Sequence, residues 1–129
     1  MSSDDVAFSE ILPVGCPPND AIKSDGRTAF RLIKMNPPIP EDFFSHSKLA
    51  KRKPPDVPLC NWMSCSLNAD KVPLINFRKM PRFKDFKFIA VLRLEKESGM
   101  IKEKNGHIDF WMYASFNPID ACEIESADP

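Results

Sequence analysis

FKFIAVLRLEKESGMIKEKNGHIDFWMYAS, residues 86–115, is the stretch whose reading decides the fold class. Phe86–Glu95 has the pattern of a strand covered on both sides. Phe88, Ala90, Leu92 and Leu94 share one face, while Ile89 and Val91 make the other face apolar as well. Glu97-Ser98-Gly99 reads as a turn, Met100–Glu103 as a short strand, and Lys104-Asn105-Gly106 as a hairpin turn. HIDFWMYAS then sets His107, Asp109, Trp111 and Tyr113 against Ile108, Phe110, Met112 and Ala114 on the opposite face. Consecutive strands joined by tight turns pair antiparallel.

Working outward, Thr28–Met35 alternates in the same way. Phe30, Leu32 and Lys34 point one way; Ala29, Arg31, Ile33 and Met35 point the other. Arg31 therefore shares a face with apolar groups and needs a partner or a wet pocket, because an unpaired buried charge is very costly. Asn36-Pro37-Pro38 ends the strand by removing ladder donors. Pro40–Ala50 is expected to be a short helix, with Pro40, Glu41 and Asp42 at its start and Lys48, Lys51 and Arg52 at its end. Leu59–Leu67 alternates as a further strand, with Leu59, Asn61, Met63, Cys65 and Leu67 on one side and Cys60, Trp62, Ser64 and Ser66 on the other. A second helix is expected from Asn68 or Pro73 to about Met80, closed by Pro81. Ala121–Ser126, ACEIES, reads as an edge strand. The prediction is one α+β domain over 27–126: a curved, largely antiparallel sheet with two short helices. Residues 1–26 form an arm tethered by Ile11, Leu12 and Val14, and 127–129 a frayed tail.

The chain has 129 residues, 43% of them hydrophobic, which is ample for a core. Thirteen prolines, about twice the usual share, keep helices short. Net charge is zero but unevenly laid out. All eighteen Lys and Arg lie between Lys23 and Lys104, beside nine acids; the other nine acids lie in the two ends. A solvated surface explains this layout, and no aromatic-basic motif of a nucleic-acid module accompanies it, so nucleic acid is not the expected partner. The alternative would place nucleic acid on Lys48–Lys53 and Arg78–Lys87. No run approaches the length of a membrane span. Asp4 and Asp5 stand where a signal peptide carries basic residues, and a cytoplasmic setting is expected. Cys16, Cys60, Cys65 and Cys122 are accordingly expected as thiols. A zinc quartet of Cys60, Cys65, Cys122 and His107 matches no regular ligand spacing, so no metal is expected.

Chemistry-bearing groups concentrate on two strands. His107 and Asp109 share a face and form a carboxylate-oriented base, or else a hairpin-rim histidine beside an acid. Cys65 paired with His107 is a nucleophilic alternative. Trp62 and Trp111 read as sheet-face aromatics, or as a pocket if they share an exposed face with Arg31. His46, on the outer side of its short helix, is given no role. The four scattered glycines cannot build a phosphate loop.

The frame FRLIKMNPP with Asp42-Phe43-Phe44-Ser45, then MSCSL, a helix closed by Met80-Pro81, KFIAVLRL, and Gly106-His107 with Trp111 resembles a group of small uncharacterised bacterial proteins. The resemblance covers Phe30 to Asp120 and matches at Arg31, Lys34, Pro37, Pro38, Asp42, Phe43, Ser45, Ser64, Ser66, Pro81, His107 and Trp111. The group's pattern has tryptophan where Met112 stands and glycine near Met63. It brings no activity with it. A second similarity is to the ADP-ribosyltransferase fold, with Arg31, Ser64-Cys65-Ser66 and Glu103 or Glu123 in the matching seats. It implies NAD as cofactor, Arg31 on the pyrophosphate, Ser66 on the nicotinamide ribose and the glutamate at an oxocarbenium-like centre. The leading expectation is a protein-binding module of immunity, antitoxin or accessory type that acts by contact without a cofactor. Its expected contact residues are Arg31, Lys34, Asp42, Ser45, Trp62, Ser64, Ser66, His107 and Trp111. The enzyme alternative is NAD-dependent and uses Arg31, Ser66, His107 and Glu103.

Overall fold

The computed structural model describes residues 7–127. Asp4, Asp5 and the expected frayed end at 128–129 lie outside them. Seven strands form one antiparallel sheet that does not close: β1 (Ile22–Lys23), β2 (Arg27–Ile33), β3 (Cys65–Asn68), β4 (Phe88–Leu94), β5 (Gly99–Lys104), β6 (His107–Met112) and β7 (Cys122–Ser126). Their order is β1-β5-β6-β3-β2-β4-β7. Two short helices, α1 (Leu59–Trp62) and α2 (Val72–Phe77), complete a mostly sheet architecture.

The alternation of β2 and β4 sorts the core as the sequence leads one to expect. Ala29 and Ile33 join Ala90, Leu92, Leu94, Ile101, Ile108, Phe110 and Leu67 on one face. Leu32, Ile89 and Val91 face the other way, where Leu74 of α2 covers them together with Phe30, Phe77, Phe83 and Phe86. β2 and β4 hold register over their whole length, from Arg27 opposite Leu94 to Ile33 opposite Phe88. The β5–β6 hairpin pairs Lys104 with His107 across Asn105-Gly106. Both loop residues have positive φ (53° and 84°), as a type I′ turn requires. The expected edge strand is present as β7, which pairs only with β4.

Two elements depart from expectation. Leu59–Leu67 is not one strand: its first four residues coil into α1, and only Cys65–Asn68 is extended. Pro58 begins the turn, the Trp62 N–H donates to the Pro58 carbonyl at 3.1 Å, and Leu59 stays largely exposed, so no core face rewards an extended chain there. The helix expected over Pro40–Ala50 is a 3₁₀ turn at Pro40–Phe43 followed by looser turns. Arg31 explains why. Its guanidinium takes the carbonyls of Asp42 and Phe44, acceptors that a continuing helix would use for itself.

The N-terminal segment is fastened differently from expectation as well. Of the three expected tethers Ile11 and Val14 are fully exposed, while Leu12 is half-buried and lines a cavity against the body. The further attachments include Phe8, whose ring lies 5.2 Å from that of Tyr113, backbone bonds from Ser9 to Met112 and from Ala114 to Ala7, the β1–β5 pairing, and a disulfide from Cys16 to Cys60. The expectation of four thiols is thereby corrected to two, Cys65 and Cys122. Ala127, expected to fray, is buried, and its N–H donates to the Lys87 carbonyl at 2.9 Å. Among the described residues no helix is long and apolar enough to cross a membrane.

Candidate functional site

Ser66 on β3 lies directly opposite Asp109 on β6, and Asn68 opposite His107. The side-chain period of two puts Ser66, His107 and Asp109 on one face, with His107 diagonal to Ser66. The Ser66 Oγ–His107 Nε2 separation is 2.6 Å, a short hydrogen bond. The other ring nitrogen, Nδ1, looks toward Asp109 Oδ1 at 3.9 Å. Asp109 is itself held in place. Its Oδ2 accepts from the Asn61 amide at 2.9 Å, and its Oδ1 lies 2.8 Å from the Ser64 hydroxyl, which is also 2.7 Å from the Asn61 carbonyl. The α1 turn thus brings Asn61 over the carboxylate, an arrangement that an extended Leu59–Leu67 would not provide.

These groups floor a cavity of about 370 Å³ whose walls include Trp62, Pro58, Val57, Asp56 and His46. His46 and Trp62 are stacked, with ring centroids 4.6 Å apart and planes at 24°. Both histidines of the chain therefore line one cavity. Burial pushes the His46 imidazole below its ordinary range, and Lys51 and Arg31 push in the same direction, so the ring is neutral at pH 7. The sequence reading gave His46 no role; the structure makes it a wall of the site.

Among the expected residues the structure brings Trp62, Ser64, Ser66 and His107 together. Arg31 is not with them. It belongs to the opposite face of the sheet, beside Ala29 and Ile33, where β2 and β3 pair only at Phe30 and Asn68 before parting. Its guanidinium fills the gap, donating from Nε to Asp42 O (2.7 Å), from Nη1 to Ser66 O (2.7 Å) and from Nη2 to Phe44 O (3.2 Å). Arg31 meets Ser66 through its backbone, not its hydroxyl. Glu103 likewise faces away: it is paired with Arg27 on the face that carries Ile101 and Ile108. Glu123 sits on the exposed edge strand β7, ion-paired to Arg93 at 3.6 Å.

The remaining expected contact residues have structural partners. The Asp42 carboxylate accepts from the backbone of Ile39 (2.9 Å) and Lys34 (3.3 Å), pinning the Pro-Pro turn. The Lys34 ammonium lies over the Phe86 ring. Ser45 is buried and donates to Glu10 at 3.1 Å. Trp111 is buried beneath α1, its indole N–H donating to Cys60 O at 2.9 Å. Ser45 and Trp111 line a second, more apolar cavity of about 310 Å³ with Phe43, Phe44, Met63 and Phe116. Trp62 and Trp111 thus serve different cavities.

The Cys65–His107 pairing does not form, since Cys65 points into the core away from His107. Burial, reinforced by Glu10 and partly offset by Arg31, raises its thiol above the ordinary range and leaves it a poor nucleophile. Cys60, bonded to Cys16, is removed from the imagined zinc quartet. Asn61 and Asp56 carry no signal in the sequence: Asp56 stands in an ordinary Pro-rich loop, and Asn61 falls within the expected strand Leu59–Leu67, on the face away from Ser64 and Ser66. No family model, curated protein or solved structure matches the chain.

Proposed function

We propose that the protein is a small binding module acting by contact on another protein, with the Trp62–His46 cavity as its recognition site. One observation carries the reading: a stacked aromatic pair stands beside a polar floor of Ser64, Ser66, His107 and Asp109, combining apolar area with fixed hydrogen-bonding groups. Immunity, antitoxin and accessory roles are the settings in which such contact suffices. The NAD-dependent alternative draws no support from this geometry, because Arg31 and Glu103 lie across the sheet from the Ser66 hydroxyl. Of the cations in the nucleic-acid alternative, Lys53 donates its ammonium to Pro54 O and Val57 O and Lys48 lies over Phe44, so these two already have partners within the chain.

The test is affinity capture from cells of the native host at moderate salt, with wild type, Trp62→Ala and a control on the far sheet edge, Glu125→Gln. Wild type and the control are expected to retain a common partner that Trp62→Ala loses. Identical capture by all three overturns the reading. On location, a cytoplasmic setting and the Cys16–Cys60 bond pull in opposite directions, since disulfides persist in oxidising compartments. Counting free thiols in protein taken directly from its host decides between them.

A further inference from the structure

We infer that Ser66 is an acylatable nucleophile, with His107 as its general base. The inference rests on the same cavity as the recognition site but goes beyond binding to a covalent step. A serine hydroxyl is a weak nucleophile until a base within hydrogen-bond reach takes its proton, and the base works best when a third group orients it. The nucleophile and base are in hydrogen-bond contact, and the carboxylate stands 3.9 Å from the far ring nitrogen, near enough to attract an imidazolium but not to bond it. Ser66 Oγ is 2.6 Å from His107 Nε2, and Asp109 Oδ1 faces Nδ1. Asp109 is held by Ser64 and Asn61, so its position does not depend on the histidine. With the ring proton on Nδ1, Nε2 accepts from the serine. Ser66 and His107 are both open to the cavity, which is large enough for a small acyl group and its leaving group.

The reaction is acyl transfer from an ester. Ser66 Oγ bonds to the carbonyl carbon, its proton passes to His107 Nε2, and the carbon–oxygen bond to the leaving group breaks. The departing oxygen takes the proton from Nε2. Water then attacks the acyl-serine, gives its proton to Nε2 and releases the acid; Ser66 regains its proton from the imidazolium. Ester and water become acid and alcohol. One N–H of the Asn61 amide is committed to Asp109, which leaves at most its second N–H for a developing oxyanion, so stabilisation there is weak. The substrates are therefore activated acyl groups whose leaving groups need little help, aryl esters above all.

A fluorophosphonate probe, which phosphonylates serines activated in this way, tests the assignment by intact mass and peptide mapping. Wild type is expected to take up one equivalent on Ser66, Ser66→Ala none, and His107→Gln about a hundredfold more slowly. Loss of the hydroxyl removes no core group, and the circular dichroism spectrum of Ser66→Ala is expected to match that of wild type. An unlabelled wild type, an adduct that persists in Ser66→Ala, or an unchanged rate in His107→Gln each overturns the inference. Labelling needs no partner and partner capture needs no labelling, so failure of one claim is distinguishable from failure of the other.

Discussion

Arg31 spends every nitrogen of its guanidinium on a main-chain carbonyl, and those carbonyls come from the 3₁₀ turn, the loop behind it and β3. Removing the fork leaves half-buried acceptors without donors. Arg31→Met is expected to lower the unfolding free energy by about 2–4 kcal/mol in urea titration. Arg31→Lys should recover only part of this, because one ammonium cannot span the three acceptors. His46 supports a pH prediction. Its folded-state pKa lies below the ordinary value of 6.5, so between the two values the unfolded chain binds the proton and the folded chain does not. The resulting stability is fully present above 6.5 and is lost as pH falls toward the folded-state value. His46→Phe keeps a ring against Trp62 and removes the titration. Its melting temperature is expected to change less than that of wild type over about pH 5–7 by scanning calorimetry. At this scale the sequence told which side chains share a face: the alternation in HIDFWMYAS and MSCSL grouped His107 with Asp109 and Ser64 with Ser66. It also put Arg31 with Ile33, yet two of the three carbonyls it reaches come from a chain reversal that no periodicity encodes, and the third from a strand distant in sequence.

At the level of elements, the β5–β6 hairpin was legible because its turn chemistry is local: Asn105-Gly106 can adopt positive φ at little cost. The same hairpin contains a tighter constraint. A Cβ at Gly99 would lie 2.3 Å from the Trp111 carbonyl oxygen, 2.8 Å from the Phe110 ring and 2.9 Å from the Met112 Cα. Two of these obstacles are backbone, so the strand must move. Gly99→Ala is expected to cost about 3 kcal/mol or more, and amide exchange across β5 and β6 should report the loosening. α1 was not legible. Four residues are too few to show a helical period, and what holds them is distant in sequence: Asn61 on Asp109, Trp62 on His46 and the Cys60 carbonyl under the Trp111 indole. The site was readable to the extent that it lies on strands, and unreadable where this turn completes it.

Across the whole molecule, the sheet is open, and its β1 edge strand is only two residues long. The N-terminal segment is held by hydrogen bonds at Ala7, Ser9 and Ser24, and the bond from Cys16 to Cys60 closes a span of 44 residues. Chain-entropy arguments give a loop of that size about 4 kcal/mol of stabilisation. Cys16→Ser with Cys60→Ser is expected to lose most of it in urea titration. Wild type should show two titratable thiols after denaturation without reductant, and four with it. The pairing could not be read from four cysteines alone, which allow several connectivities.

Cys60 stands directly before Asn61, which clamps the carboxylate, and two residues before Trp62, which stacks on the His46 imidazole. Dithiothreitol in a purification buffer therefore does more than keep stray sulfhydryls tidy. It unties the segment ending at Cys16 from the turn that shapes the cavity, and samples prepared with and without it are chemically two proteins.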